Sequence, residues 1–151
     1  MGSQPVGRVV LMSIHPVYAN AILSGDKQVE FRKRRLAPDV THVLVYATAP
    51  VGAIVGAFVI AGQETSTPAS LWRRFAKVAG ISHGKFFEYY AASAVGTGIR
   101  VGSVLIPHKP LNLMLSLGVR RPPQSFQYVT LATALPAINA MTRTRFSSKA
   151  A

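Results

Sequence analysis

The stretch SIHPVYANAILSGDKQVEFRKRR, residues 13–35, carries the local signals that decide the fold around it. Pro16 suits the first turn of a helix, and apolar side chains then recur at helical spacing. Gly25 follows them, and glycine readily adopts the left-handed conformation that ends a helix. The stretch therefore predicts a short helix and a tight turn.

After the turn the pattern changes to a period of two. Val29 and Phe31 fall on one face of a predicted strand, and the polar residues between them fall on the other. The residues expected on that second face are Gln28, Glu30, Arg32 and Arg34. Lys27 stands at the mouth of the strand. We interpret this helix, turn and strand as one wall of a functional cleft.

The composition indicates one basic, globular domain. The chain has 151 residues, 49% of them hydrophobic, and 17 Lys and Arg against 5 Asp and Glu give a net charge of +12. Such a field attracts polyanions. By charge, nucleic acid is the predicted class of partner, with an acidic membrane surface or an acidic protein as the alternative.

Several classes of site are not expected. There are no cysteines, which excludes disulfides and thiolate zinc sites. The histidines stand singly, so we predict neither a metal site nor a cofactor. No signal peptide is apparent, and the apolar residues 43–61 resemble two strands joined at Pro50 more than a membrane span. We expect a cytoplasmic protein; its oligomeric state is open.

The remaining pattern predicts an α+β fold, a small mixed β-barrel of about five to six strands with short helices covering its ends. Strands are expected at 8–14, 41–49, 53–61, 95–106 and 125–132, and helices after Thr67 and Ser82. Pro107 and Pro110 suggest that the strand at 95–106 lies at the sheet edge, and Gly56 suggests a bulge or a close backbone approach. We expect a flexible N-terminus at 1–7, the domain at 8–132 and a basic tail, a frayed helix or a disordered arm, at 133–151.

Four motifs occur in order along the chain. They are S-I-x-P-x-Y-A-x-x-I at 13–22, G-x-K-x-x-E-x-R at 25–32, G-I-S-x-x-x-F-x-x-Y-Y at 80–90 and P-P-Q-S-F-x-Y at 122–128. Together they resemble the longer branch of the ASCH family of PUA-like domains over residues 9–131. The resemblance implies a PUA-like barrel, RNA binding at a cleft beside the second motif, and a role in RNA processing or in regulation of translation or transcription.

Small ASCH members that resemble amidohydrolases cleave acetylated cytidine with a Lys and a Thr of the motif and a Glu of a following helix. Lys27 matches that Lys, but Glu30 stands in the place of the Thr and residues 79–82 contain no acid. If the chain is an enzyme, we therefore expect a ribonuclease more than an amidohydrolase.

The candidate catalytic residues are Lys27 and Glu30, with Glu30 as the base and Lys27 and Arg32 as phosphate clamps. The residues expected to bind single-stranded RNA are Ser13, Tyr18, Lys27, Arg32, Lys33, Arg34, Arg35, Tyr46, Gln124, Ser125 and Phe126. For the run RKRR we favour phosphate binding over a solvated strand exit, whereas a capped turn would equally explain Gln124 and Ser125. An RNA or nucleotide hydrolase and a protein-interaction adaptor remain the alternatives to simple RNA binding.

Overall fold

The structure is a computed structural model that describes residues 7–144. Within them seven strands form one sheet. The strands are β1 (Arg8–Ile14), β2 (Val29–Arg32), β3 (Val40–Ala47), β4 (Ala53–Ser66), β5 (Gly96–Pro107), β6 (Phe126–Thr130) and β7 (Met141–Thr144). The helices are α1 (Pro16–Ser24), α2 (Pro68–Phe75), α3 (His83–Tyr89), α4 (Leu113–Leu117) and α5 (Leu131–Asn139), and a 3₁₀ turn, Ala76–Val78, extends α2.

The local signals of the opening stretch form the expected elements. Pro16 begins α1, the His15 side chain accepts a hydrogen bond from the Val17 amide, and Gly25 ends the helix in the left-handed conformation with φ 89°. The caps Thr67 and Ser82 likewise accept hydrogen bonds from the first turns of α2 and α3.

The sheet is mixed and its backbone does not close. Its strand order is β2-β5-β4-β3-β1-β6, with β7 beside β5. Strands β1 and β3 are parallel, and the other pairs are antiparallel. The α+β class is confirmed, with seven strands in place of five or six, and the barrel is a loose one.

Strand β5 is not an edge strand, so that prediction was wrong. It pairs with β4 on one side, and on the other with β2 at residues 97–100 and β7 at residues 104–107. Pro107 did not exclude this pairing because it stands at the last position of the ladder, opposite Met141.

Folded structure continues beyond the predicted domain end at residue 132. Helix α5 and strand β7 bury Ala134, Ala137, Ile138 and Met141, and Pro136 lies inside the helix. The boundary predicted at 132 therefore falls within a packed region. Residues 1–6 of the N-terminus predicted to be flexible at 1–7, and residues 145–151 of the tail predicted at 133–151, lie outside the described residues.

The sheet separates two cores, and a third forms beside it. Helices α4 and α5 cover one face, around Leu11 and Leu44. Helix α1 covers the other face, around Met12 and Val45. Helices α2 and α3 pack on β2 through an aromatic cluster that includes Phe31. Among the described residues, none of the helices has the length and apolar character needed to cross a membrane.

Gly56 is the point where α1 approaches the sheet, as its position in a strand predicted. A register shift between Val45 and Tyr46 marks a bulge beside it. A Cβ atom on Gly56 would lie 2.6 Å from a methyl carbon of Leu23 and 2.8 Å from the Leu105 carbonyl oxygen. Any side chain here must displace the helix or the neighbouring strand.

We expect Gly56→Ala to lower the free energy of unfolding by about 1–3 kcal/mol through overpacking, measured by urea denaturation. Gly84→Ala is the matched control, because a Cβ there meets nothing within 4 Å and alanine favours the helix by up to about 1 kcal/mol. Equal stability of the two variants would refute this account of Gly56.

Candidate functional site

A cleft of about 290 Å³ opens where the ends of β1 and β2 meet α1 and α3. Its lining consists of Ser13, Ile14, His15, Tyr18, Lys27, Glu30, Phe31, Arg32, Ile81, Lys85, Phe86 and Tyr89. The structure thus brings together five of the residues predicted for the site, which are Ser13, Tyr18, Lys27, Glu30 and Arg32.

Lys27 is seated by the turn between α1 and β2. Its amide donates a hydrogen bond to the Ala21 carbonyl at 2.9 Å, which fixes the turn against the helix. Its aliphatic stem runs along Gly80, where a Cβ atom would lie 2.5 Å from Lys27 Cβ. Gly80 also has φ +62°, so both its conformation and its bare surface require glycine.

The Lys27 ammonium is almost fully buried, with 2% of the residue exposed. It donates a hydrogen bond to the Ala79 carbonyl and lies 3.8 Å from Glu30 Oε1. The ring centroids of Tyr18 and Phe31 are 5.4 and 5.2 Å away. Burial lowers the pKa of Lys27 below the usual lysine value; the Glu30 carboxylate offsets part of this effect.

Arg32 uses its guanidinium to join separate parts of the chain. Nη2 donates to Glu30 Oε2 at 2.9 Å and to the Ser13 carbonyl at 3.1 Å, and Nη1 donates to Ser125 Oγ at 3.1 Å. Its Nε is buried, and among the described residues it has no hydrogen-bond partner. Arg32 therefore builds the cleft wall and orients Glu30, and these contacts occupy its two terminal nitrogens.

The segment before β6 supports this wall from outside the cleft. Ser13 donates from Oγ to the Pro123 carbonyl at 2.6 Å and from its amide to the Ser125 carbonyl at 3.0 Å. Gln124 is exposed, and Phe126 packs against the core beneath α1. Of these residues only Ser13 lines the cleft; Ser125 reaches it through Arg32.

Tyr46 does not border the cleft. It is 8% exposed and belongs to the core cluster on the sheet face away from α1, with Leu44. Side chains alternate along a strand, so Tyr46 shares the face of Leu44, while Val45 faces α1. The prediction that Tyr46 lies beside the cleft is not met in the structure, because the strand pairing that decides which face a side chain occupies is absent from the residue pattern.

The cations after Arg32 lie outside the cleft lining. Lys33, Arg34 and Arg35 are exposed as the chain leaves β2. Lys33 alone reaches the rim, where its Nζ lies 5.0 Å from the centroid of the Tyr89 ring.

Helix α3 contributes site residues that the sequence analysis missed. Lys85 and Tyr89 are four residues apart and both line the cleft, and Tyr89 is 38% exposed at its rim. Burial raises the pKa of the Tyr89 phenol, so it is uncharged at neutral pH. The i, i+4 spacing was visible in the sequence, but the aromatic residues of this helix had been assigned to the core, which holds for Phe86.

Within residues 7–144 no group of three or more His, Cys, Asp or Glu is arranged to hold a metal ion. This lining supplies two amines, one carboxylate, one guanidinium, the His15 imidazole, the Ser13 hydroxyl and aromatic faces. Such a cleft suits an anionic ligand with flat rings.

Comparison with known proteins finds a matching family and a relative that carries the same domain. The family model described as the ASCH domain matches residues 12–106. A Zymomonas mobilis protein named ASCH domain-containing ribonuclease is 29% identical over 129 residues, covering 83% of this chain and 86% of that one.

Solved structures agree on the fold. The crystal structure of ASCH from Zymomonas mobilis superposes with a TM-score of 0.78 at 24% identity, covering 89% of this chain and 96% of that one. A serine-to-alanine variant of the same protein gives 0.78 at 23% identity, covering 92% and 100%.

The burial of Lys27 makes stability depend on pH in a defined direction. Between the lowered pKa of folded Lys27 and the ordinary value of 10.5, the unfolded chain binds more protons than the folded one. The free energy of unfolding is therefore expected to rise with pH across this window, and the penalty for charging the buried amine is full below it.

Urea denaturation at a series of pH values tests this expectation, with Lys27→Met as the comparison because it lacks the amine. The wild-type free energy of unfolding should rise more steeply with pH than that of the variant. Parallel pH profiles would show that Lys27 titrates as it does in the unfolded chain.

Proposed function

The chain belongs to the ASCH domain family, and we propose that it binds single-stranded RNA in the cleft between α1 and α3. The observation that carries the proposal is the lining itself, in which buried and rim cations alternate with aromatic faces on a chain of net charge +12. A cleft of about 290 Å³ suits one nucleotide and is too small for a double helix. Stacking on aromatic side chains is the usual means of reading single strands.

The aromatic walls supply the base contacts of the proposal. Tyr18 of α1 and Tyr89 of α3 both line the cleft, and we propose that a base in the cleft stacks on these rings. Tyr89 is supported from behind by Tyr90, at 4.8 Å between centroids in an edge arrangement. The Tyr90 hydroxyl in turn donates to the Arg32 carbonyl at 2.8 Å, which fixes α3 against β2.

The phosphate contacts are assigned to the rim. The Arg32 guanidinium is already hydrogen-bonded to Glu30, Ser13 and Ser125, so we propose that it shapes the cleft wall and does not bind phosphate. We propose this role for the exposed cations Lys33 and Lys85 at the rim, and for the exposed Arg34 and Arg35 where the chain leaves β2. Gln124 is exposed next to Ser125 and is proposed as an edge contact for a base just outside the cleft.

We expect Tyr89→Ala to weaken binding of a short single-stranded RNA by about tenfold or more, because base stacking on an aromatic ring contributes about 1–3 kcal/mol. Tyr89→Phe retains the ring and should bind within about twofold of the wild type. Fluorescence anisotropy with labelled RNA at fixed salt measures both.

Three other results would contradict the proposal. Equal affinity of the Ala and Phe variants would mean that the ring does not stack. Binding that falls steeply with salt and does not distinguish single from double strands would mean attraction by charge alone. Absence of affinity at moderate salt would favour the adaptor role.

RNA cleavage is a second candidate, favoured by the name of the Zymomonas mobilis relative and by the Lys27–Glu30 pair in the cleft. Glu30 is proposed to take the proton of the ribose 2′-hydroxyl as its oxygen attacks phosphorus. Lys27 then gives a proton to the 5′-oxygen as the P–O5′ bond breaks, leaving a 2′,3′-cyclic phosphate and a 5′-hydroxyl. The lowered pKa of Lys27 makes its ammonium a better acid, and Arg32 keeps Glu30 oriented.

We expect Lys27→Met and Glu30→Gln each to reduce cleavage of labelled RNA by about 10²–10⁴-fold, the usual contribution of a proton-transfer group. Lys33→Met removes one rim cation and is the control; it should lower affinity and leave the rate at saturation unchanged. Unchanged cleavage by a Lys27→Ala, Glu30→Ala double variant would exclude this mechanism. RNA binding without cleavage by the wild type would leave the binding function alone.

A further inference from the structure

A second groove, of about 260 Å³, lies behind the cleft. Its lining consists of Gln28, Arg74, Phe75, Val78, Arg100 and Val101, and we name it the Arg74–Arg100 groove. It shares no lining residue with the cleft. Two arginines and an amide around a concavity form a set of donors suited to an oxyanion.

The groove and the cleft lie back to back across one seam. On the cleft side the Lys27 ammonium donates to the Ala79 carbonyl. One residue along, the Gln28 amide donates to the Val78 carbonyl at 2.9 Å, and both of these residues line the groove. The two backbone segments at residues 27–28 and 78–79 therefore lie between the cleft and the groove.

The guanidinium N–H groups of Arg100 are available to hydrogen-bond a ligand. Arg100 is exposed on β5 opposite Gly62, and within residues 7–144 its side chain has neither a hydrogen bond nor an ion pair. Its side chain lies over Gly62, where an added Cβ would be 3.7 Å from Nη1. The bare backbone of Gly62 leaves room beside the guanidinium, which carries five N–H donors.

Arg74 is held in place by two contacts. Its Nε pairs with Glu64 Oε2, and its Cζ lies 5.5 Å from the centroid of the Phe75 ring. The pair uses one edge of the guanidinium and orients the rest of the group. A planar, pre-oriented guanidinium suits bidentate recognition of phosphate.

We propose that the Arg74–Arg100 groove is a second phosphate-binding site and that its ligand is a backbone phosphate of the RNA strand whose base occupies the cleft. This rests on the proposed RNA-binding function for the identity of the ligand. The shared seam is the reason for assigning both sites to one strand. The groove extends the footprint of the chain beyond the single nucleotide that the cleft admits.

The first experiment requires no RNA. Inorganic phosphate is titrated into the full chain while the Nε–Hε signals of its arginines are followed by NMR. The signals of Arg74 and Arg100 are expected to shift with saturation, and that of Arg73 to move much less. Arg73 is the matched control because it neighbours Arg74 on α2, contacts Ser70 and is absent from the groove lining. Equal shifts of all three would overturn the site.

The second experiment identifies the source of the phosphate. Arg100→Ala is expected to weaken an eight-nucleotide RNA about tenfold, as for loss of a hydrogen bond to a charged group, and to leave a dinucleotide unaffected. The slope of log affinity against log salt should fall by about one. Arg73→Ala should change neither the affinity nor the slope to this extent.

The outcomes separate the two proposals. If Tyr89→Ala weakens RNA but Arg100→Ala and Arg73→Ala have equal effects, the cleft function stands and the groove proposal falls. If phosphate shifts Arg74 and Arg100 but the RNA affinity of Arg100→Ala is unchanged, the strand assignment falls. If the wild type binds no RNA at all, the proposed function falls, and with it the ligand named for the groove.

Discussion

Hydrogen bonds of the Arg32 guanidinium connect the two ends of the sheet, which the backbone leaves unpaired. Strands β2 and β6 stand at the two ends of the strand order and do not pair with each other. Arg32, the last residue of β2, reaches the Ser13 carbonyl at the end of β1 and Ser125 just before β6. Hydrogen bonds from a charged donor are stronger than neutral ones, and the bond to the Ser13 carbonyl is partly buried, which adds to its strength. The cleft wall formed by the ends of β1 and β2 depends on this junction.

The same junction concentrates charge where water is largely excluded. Lys27, Glu30 and Arg32 form a group of two cations and one anion, and removing such groups from water carries a desolvation cost that pairing only partly offsets. Hydrophobic residues of similar volume are often as stabilising as buried ion pairs or more so, and stability alone therefore does not account for this arrangement. An anionic ligand in the cleft would supply the missing negative charge. This is the physical link between the wall of the cleft and its proposed use.

Bare backbone surfaces make the site possible. Gly80 admits the stem of Lys27, and Gly96 admits the ring of Tyr90, whose atoms would lie 2.4 Å from an added Cβ. Tyr90 then bonds the Arg32 carbonyl and supports Tyr89 at the rim. The lobe formed by α2 and α3 is thereby fixed to the last residue of β2, and the seam beside Lys27 and Gln28 fixes it at the start of the same strand.

The sequence by itself determined the elements whose causes are local. Pro16, Gly25 and the change of period after Lys27 specify the helix, turn and strand of the opening stretch, and four ordered motifs indicated the family and the α+β fold. These features depend on residues a few positions apart, so they can be read without knowing what they pack against.

Only the tertiary structure decided which surfaces meet. It placed β7 beside β5, turned Tyr46 away from the cleft and brought Lys85 and Tyr89 into it. The residue pattern of a strand does not show which strands it pairs with. A strand with apolar residues on both faces also does not show which face packs against α1. Long-range strand pairing decided both the neighbours of each strand and the face that carries α1. The cleft lies where the strands and helices placed in this way meet.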